Sequence, residues 1–444
     1  VAEDYLEQAT DLGNARRFVR LHGADLRYVH TFGRWFWWDG CRWREDESGE
    51  IIRRATDVST DLYQQAAGAD SEANRKELAR HAISTESEKR LRSLVSLAQS
   101  LPSIPAGPDE FDADPWVLNT PKGLVDLRTG ELSPHDRAAM CSKVTGAGYE
   151  PQARSELWER CLETWLPDPE VRAFVQRAVG YSLIGIITEQ ILLIMWGGGA
   201  NGKSVLQEIL RKAIGDYAMH TPPETLISNH SGGIPNDIAR LRGARLVSAS
   251  ESDENRRLAE GRIKALTSGD AIAARFMRAE WFEFVPTFTV WLSTNHKPII
   301  RGQDLGIWRR IKLVPFEVEI PEADRDPYLL QKLETELPAV LAWAIQGCLD
   351  YQAIGLNAPE AVEVATADYR RESDVFGEFI EERCEIKAER FATSEGLYLA
   401  YQEWAKGAGE KVLTKTMFGK KLNERGFDRE KQGGVRGWIG IALR

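Results

Sequence analysis

Cysteine is scarce in this chain. Cys41, Cys141, Cys161, Cys348 and Cys384 are scattered through 444 residues with no Cys-x-x-Cys pair. That excludes a disulfide scaffold and a zinc-ribbon spacing, and the five read as reduced thiols. Seven histidines form no ligand-spaced cluster. No apolar run approaches the roughly 18 residues that a membrane span needs. The polar, acidic first residues lack the pattern of a secretory leader, so a cytoplasmic protein without a membrane partner is expected. A surplus of positive charge is also missing. Lys and Arg number 57 against 67 Asp and Glu, a net charge of −10, so a nucleic-acid site has to be local or made by assembly. Internal repeats and low-complexity tracts are absent.

What is present suits a globular protein, with 43% hydrophobic and 28% charged residues and length for two to four domains. The first residue is Val1 rather than Met, and an upstream domain is expected. The chain is organised around Ile191-Leu-Leu-Ile-Met-Trp-Gly-Gly-Gly-Ala-Asn-Gly-Lys-Ser204. Its apolar run has no polar alternation and stops at glycine, as a buried strand does. Gly197-x4-Gly202-Lys203-Ser204 follows, the P-loop pattern of a nucleoside triphosphatase. Glycines let backbone N–H groups turn toward phosphate oxygens, Lys203 reaches the β- and γ-phosphates, and the Ser204 hydroxyl suits Mg²⁺. Residues 205–214 continue as a helix whose N-terminus faces the phosphates.

Upstream, Asp11 is expected to cap a helix over about 14–21, ended by Gly23. Leu26–Val29 and Trp35–Trp38 read as strands, with Asp39-Gly40 turning into Arg42-Trp43-Arg44. The aromatics Trp35, Phe36, Trp37, Trp38 and Trp43 suit the core of a small β unit; stacking on nucleic-acid bases is the alternative. Residues 55–99 read as charged helices. Residues 101–115 carry four prolines and read as a connector. Residues 116–132 suggest a hairpin with Thr129-Gly130 turning, and 155–188 are helical.

Beyond the P-loop, Ala244–Ser250 reads as a second strand that ends in Glu251, beside the P-loop strand. An acidic strand tip there holds Mg²⁺ and polarises water. Asp253 and Glu254 are read as the start of a helix running from Arg257 to Thr267, where acids suit the dipole. Residues 272–276 and 281–284 can pair as a hairpin. Thr289–Asn295 is a third strand, and its terminal Asn295 can orient water against the γ-phosphate. Arg309 and Arg310 follow as consecutive arginines near a further strand. An arginine supplied to a neighbour's nucleotide accelerates phosphoryl transfer.

The order P-loop, Ser-Glu strand, basic hairpin, Ser-Thr-Asn strand, Trp-Arg-Arg resembles the superfamily 3 helicases. Most similar are the phage and plasmid primase–helicases related to the poxvirus primase–helicase. Asp11-Leu-Gly-Asn-Ala, Gly33-Arg-Trp with Trp38-Asp-Gly, and Asn119-Thr-Pro-Lys-Gly-Leu-Val-Asp-Leu resemble that family's region before the motor. Gly199-Ala-Asn-Gly-Lys-Ser204, Leu266-Thr-Ser-Gly-Asp270, Thr294-Asn295 and Ile307-Trp-Arg-Arg310 resemble its motor motifs. The resemblance implies an α/β fold with an AAA+ type motor over 151–355. An N-terminal α+β collar over 1–150 precedes it, and a winged-helix-like module over 375–444 follows. It implies a homo-oligomeric ring, commonly a hexamer, that hydrolyses ATP with Mg²⁺ and moves along single-stranded DNA at forks, 3′ to 5′. A phage-encoded chain of this kind works in bacterial host cytoplasm, with replication proteins as partners. No polymerase-type carboxylate signature is visible, so priming is expected upstream of Val1.

By position, the resemblance assigns Gly197, Gly199, Asn201, Gly202, Lys203 and Ser204 to ATP, and Ser204 with Glu251 to Mg²⁺. It assigns Asn295 as the sensor and Arg309 or Arg310 as the finger from the adjacent subunit. The hairpin matches the family's pore loop, which makes Arg275 and Arg278 DNA-contact candidates. Ser250 before Glu251 departs from the usual Asp-Glu pair. From Lys406 to Arg444, ten Lys and Arg stand against four Asp and Glu, so Lys415, Lys420 and Lys421 are candidates for phosphate contact. An ATP-gated DNA-binding regulator that does not unwind shares all the nucleotide residues. A P-loop small-molecule kinase leaves the hairpin, the arginine pair and the basic tail unexplained.

Overall fold

Residues 7–228, 236–251, 253–254, 256–276, 280–408, 410 and 412–444 are described in a computed structural model. The first helix, α1 (Asp11–His22), is capped by Thr10, one residue before the expected Asp11. The Thr10 hydroxyl accepts the Gly13 N–H at 3.0 Å, which satisfies one of the free donors of the first turn. Next comes an antiparallel meander, β1 (Leu26–Val29), β2 (Arg34–Trp38) and β3 (Trp43–Glu45). Four helices follow: α2 (Glu50–Ala55), α3 (Asp57–Ala67), α4 (Glu72–Thr85) and α5 (Glu88–Ala98). Ala15, Phe18, Leu26, Ile51, Leu62 and Leu94 meet in their common core, with Trp35 and Trp37 packed against it. Trp43 is 1% exposed. Trp35, Trp37 and Trp43 are therefore core pieces.

Past the proline-rich connector lies a second meander, β4 (Val117–Thr120), β5 (Gly123–Asp126) and β6 (Glu131–Ser133). The Thr129-Gly130 turn joins β5 to β6, leaving a tighter turn between β4 and β5. Leu118, Val125, Leu127, Ala147 and Tyr149 sit in the same core as Trp158, Trp165 and Phe174, so residues 117–149 pack with the central part of the chain.

That part opens with α6 (Glu156–Trp165), α7 (Pro169–Leu183), β7 (Leu192–Trp196), α8 (Lys203–Ile214), β8 (Ala218–His220), α9 (Asn236–Arg240) and β9 (Leu246–Glu251). It continues with α10 (Glu260–Leu266), the hairpin β10 (Ile272–Ala274) and β11 (Phe282–Phe284), β12 (Thr289–Thr294), α11 (Leu305–Trp308), β13 (Ile311–Pro315), α12 (Leu329–Glu334) and α13 (Leu337–Ile354). Five of these strands form one parallel sheet in the order β13-β7-β12-β9-β8. Both faces are covered, which is why β7 carries Leu192, Leu193, Ile194 and Met195 without alternation, all of them buried. Helices α7 and α13 cross almost backbone to backbone. A Cβ on Gly180 would stand 2.0 Å from the Cys348 nitrogen, so only glycine fits there.

Two expectations need correction. The acidic strand β9 is not beside β7, because β12 pairs with both. The helix expected from Arg257 starts at Glu260, and Asp253 and Glu254 lie in the preceding loop. The cause is pairing: Arg257 bridges Ile299, Leu258 bridges Ile227, and the Leu258 N–H donates to the Ile299 carbonyl at 3.0 Å. Backbone spent on such bridges cannot be helical.

The C-terminal part begins with α14 (Glu360–Glu372), seated on β13 through the Thr366 hydroxyl, which accepts the Leu313 N–H at 3.0 Å. Then follow α15 (Val375–Arg383), β14 (Cys384–Thr393), α16 (Ser394–Gly407), α17 (Lys415–Glu424), β15 (Arg429–Gln432) and β16 (Val435–Leu443). Phe376, Phe379, Tyr401, Trp404, Phe418 and Trp438 form a separate core against the sheet β14-β16-β15. The long strand β14 was not expected. It is an edge strand in which only Cys384 and Ala392 are buried, so it carries no apolar alternation. No described helix is long and apolar enough to cross a membrane.

Candidate functional site

Parallel register assembles the site. Thr294 at the end of β12 pairs with Trp196 of β7 on one side and Glu251 of β9 on the other. Whatever follows these residues emerges at one edge of the sheet. A cleft of about 400 Å³ opens there, lined by the loop Gly199–Ser204 together with Ser250, Glu251, Thr294 and Asn295. Gly197 lies beneath it and presents its carbonyl to Lys203.

The loop owes its shape to left-handed backbone at Gly199 (φ +107°), Ala200 (φ +48°) and Gly202 (φ +86°). At Gly202 a Cβ would strike the Trp165 ring at 2.3 Å, so α6 buttresses the loop from below. The segment after β13 braces it from the side. Asn201 Nδ2 donates to the Phe316 carbonyl at 3.0 Å, and the Ile320 N–H donates to the Ala200 carbonyl at 2.9 Å. Asn201 is thus a brace as well as a lining residue.

Lys203 is 4% exposed. Its Nζ donates to the Gly197 carbonyl and to Asn201 Oδ1, each at 2.8 Å. Neither acceptor is a carboxylate, and burial pulls the ammonium pKa down to about 8. A buried charge without a counterion is unfavourable, so this site favours an anion. Lys203 also opens the twelve-residue helix α8, whose terminal N–H groups face the same way. A polyphosphate fits these features. Ser204, exposed, and Glu251, 8% exposed, are hard oxygen donors on the same cleft and suit Mg²⁺. Glu251 Oε1 accepts the Asp253 N–H at 2.8 Å, which orients the carboxylate. Asn295 is half-buried, and its amide makes no hydrogen bond to the described residues. Among the described residues no three His, Cys, Asp or Glu side chains converge as a metal cage.

Gln207 escaped the sequence reading. From α8 it donates to the Ala249 and Trp291 carbonyls at 3.4 and 3.3 Å and accepts the Ser250 hydroxyl at 3.2 Å. It ties the helix behind the loop to strands β12 and β9. Its signal was a lone amide one turn after Lys203, on the buried face.

The arginine pair lies elsewhere. Ile311 pairs with Leu192, so Arg309 and Arg310 sit at the opposite edge of the sheet from the glycine loop. A five-residue strand separates the two edges, about 16 Å at 3.3 Å per residue. Neither can serve its own chain's cleft. Arg310 is 7% exposed, and its guanidinium donates to Thr267 Oγ1 at 3.1 Å, the Gly306 carbonyl at 2.6 Å and Gln190 Oε1 at 3.2 Å. Arg309 is exposed, and among the described residues its guanidinium donates only to Gln190 Oε1, at 2.9 Å. Arg310 is thus committed inside the fold, whereas Arg309 faces solvent. Arg310→Ala should lower unfolding free energy by about 2–3 kcal/mol, since it leaves buried acceptors unpaired. Arg309→Ala should leave urea midpoints almost unchanged.

On the hairpin, the Arg275 guanidinium lies 5.0 Å from the Trp281 ring centroid. Arg278 falls outside the described residues. On α17, Lys415 pairs with Glu395, while Lys420 and Lys421 each stand 3.8 Å from Glu424. Of these three only Lys421 lines a cleft of about 1000 Å³ shared with Arg301, Arg370 and Arg425.

Residues 15–167 match a family model described as D5 N terminal like, and residues 195–310 match a family of unknown function (DUF5906). A candidate helicase of Acanthamoeba polyphaga mimivirus is 26% identical over 78% of this chain and 40% of its own length. One from Frog virus 3 is 28% identical over 54% of this chain and 26% of its own length. A candidate primase of African swine fever virus is 22% identical over 66% of this chain and 34% of its own. The chain thus spans less than half of these relatives. The apo C-terminal region of NrS-1 shares the fold, with TM-score 0.53 and 10% identity over 98% of this chain and 100% of that one.

Proposed function

We propose that the chain is the ATP-driven motor of a viral-type DNA-replication helicase–primase, a reading supported by its similarity to the D5 N terminal like model and to viral proteins named as candidate helicases and primases. In this reading the glycine loop is a P-loop, the parallel sheet is the core of an AAA+ type motor, and the C-terminal sheet and helices act as a winged-helix-like module. Rings of this chain, commonly hexamers, would move along single-stranded DNA 3′ to 5′. Priming would belong to a separate upstream domain or partner.

The observation that carries the reading is the buried, acid-free ammonium of Lys203 in a cleft shared with Glu251 and Asn295. Lys203, Asn201 and the loop N–H groups hold the triphosphate. Ser204 and Glu251 would hold Mg²⁺, which would supply charge neutralisation to the bound triphosphate. A Glu251 carboxylate oxygen takes the proton of the attacking water, and the Asn295 amide orients that water. Arg309 of the adjacent subunit supplies the charge that this cleft lacks.

A forked duplex tests this. Strand displacement that needs ATP, Mg²⁺ and a 3′ single-stranded arm is the expected result. DNA-stimulated hydrolysis without displacement would make the chain an ATP-gated DNA-binding regulator. Failure to bind nucleotide at all would remove the motor reading.

A further inference from the structure

On the sheet edge away from the glycine loop, the β10–β11 hairpin approaches the N-terminal meander. The Arg242 guanidinium lies between two rings there, 5.4 Å from the Phe32 centroid and 5.8 Å from that of Phe282. Phe282 stacks in turn on Phe276, with centroids 5.7 Å apart and planes 24° from parallel. The result is a ladder, Phe32–Arg242–Phe282–Phe276, built from segments more than 200 residues apart. Its end rungs remain open, Phe32 being 43% and Phe276 45% exposed. Beside it lies a cavity of about 600 Å³, whose walls include Phe32, Phe36, Phe111, Lys143, Arg242 and Phe284.

Packing between modules explains the inner rungs. It does not explain why both end rings face solvent, Phe32 at the wall of an open cavity and Phe276 on the hairpin. The charges are informative. The acid partner of Arg242 is Asp109, at 3.0 Å, and its side chain is 94% exposed, so the pair is weak and easily exchanged. Lys143 has no acid partner among the described residues. Of the acids on the cavity wall, Asp112 is occupied by the Ser142 N–H and hydroxyl, and Glu283 stands exposed at the lip. Positive and negative groups nearly balance. Ring faces rather than net charge therefore dominate what this surface offers.

We propose that this ladder is a binding track for single-stranded nucleic acid, with bases stacking on Phe276 and Phe32 and phosphates meeting Arg242 and Lys143. An alternation of flat rings and cations matches the alternation of bases and phosphates along a strand, and such stacking tolerates any sequence. The proposal rests on the DNA-motor reading and extends its contact from the hairpin into the N-terminal module. The nucleotide cleft, on the opposite edge of the sheet, does not take part.

The test is fluorescence anisotropy of labelled oligo-dT with the full chain. Phe32→Ala and Phe276→Ala should each weaken binding about 5- to 100-fold. The slope of affinity against salt should stay unchanged, because neither ring contacts phosphate. Arg242→Gln should flatten that slope by about 0.7. Phe32→Leu keeps apolar bulk but removes the flat face, so it should still lose affinity with an unaltered melting temperature, and Phe32→Trp should restore it. An oligonucleotide carrying 5-iodouracil should cross-link to the peptide that contains Phe32. Parent-like binding by Phe32→Leu and Phe276→Ala, with Arg275→Ala still impaired, would reduce the ladder to module packing and leave the DNA reading standing. If the parent chain binds no single strand, both fall together.

Discussion

Lys203→Ala should remove most nucleotide binding and all measurable hydrolysis. The ammonium is placed to make two charge-assisted contacts, each worth about 1.5–3 kcal/mol, so triphosphate affinity should fall by roughly 10²-fold or more. Equilibrium titration with a fluorescent ATP analogue reads this directly. A pH signature separates lost charge from lost shape. Burial holds the ammonium pKa at about 8, below the usual 10.5. Between those values the free protein is partly neutral at Lys203, whereas bound phosphate favours the charged form and draws a proton back. ATP binding at pH 8.5–9 should therefore take up a proton, seen as a dependence of calorimetric heat on the buffer's ionisation enthalpy. Lys203→Arg stays charged at every working pH and should lose that uptake. The sign for folding runs the other way. The unfolded chain binds the extra proton in this window, so the stability of the unliganded protein should rise as pH climbs from about 8 to 10.5. Parent-like ATP affinity in Lys203→Ala would remove this residue from the site.

The cleft was legible because its signals are local. Trp196, Gly197–Ser204 and the helix behind them are consecutive, and the ends of two other apolar runs announced Glu251 and Asn295. What joins these three ends is not local. Sheet order depends on the pairing of Thr294 with Trp196 and Glu251, residues 98 and 43 positions away, and no periodicity encodes it. Hence β9 was expected beside β7, while β12 lies between them. Neighbouring residues of one type were equally opaque. Arg309 and Arg310 differ only in which way one turn of chain points them, yet one is solvent-facing and the other is bound to Thr267, Gly306 and Gln190. Strand β14 failed for a different reason. An exposed edge strand with the sequence Cys-Glu-Ile-Lys-Ala-Glu-Arg-Phe-Ala-Thr has the composition of a charged helix. The Phe32–Arg242–Phe282 ladder has no sequence signal at all, since three distant segments supply it.

Arg309→Ala should abolish most ATP hydrolysis while sparing ATP binding and fold. Within one chain the guanidinium is a full strand's length from Gly197, and among the described residues it is anchored only to the Gln190 amide at 2.9 Å. It has no role at its own cleft. A finger reaching the neighbour's γ-phosphate is worth on the order of 10³ to 10⁵ in rate, because it meets charge that develops only during transfer. The single bond to Gln190 suits this role, since little is lost when the side chain swings to a neighbour. Arg310→Ala offers the contrast: it should lower activity only in step with its loss of stability. Mixing decides between sharing and a structural defect. A Lys203→Ala subunit keeps an intact Arg309, and an Arg309→Ala subunit keeps an intact loop. Each is inactive alone, but an interface that pairs the good loop of one with the good arginine of the other should hydrolyse ATP. Recovered turnover that rises and falls with the mixing ratio is the expected result. If mass measurement shows co-assembly and the mixture stays inactive, or if Arg309→Ala turns over ATP as the parent does, catalysis is not shared between chains and the missing positive charge must come from within the subunit.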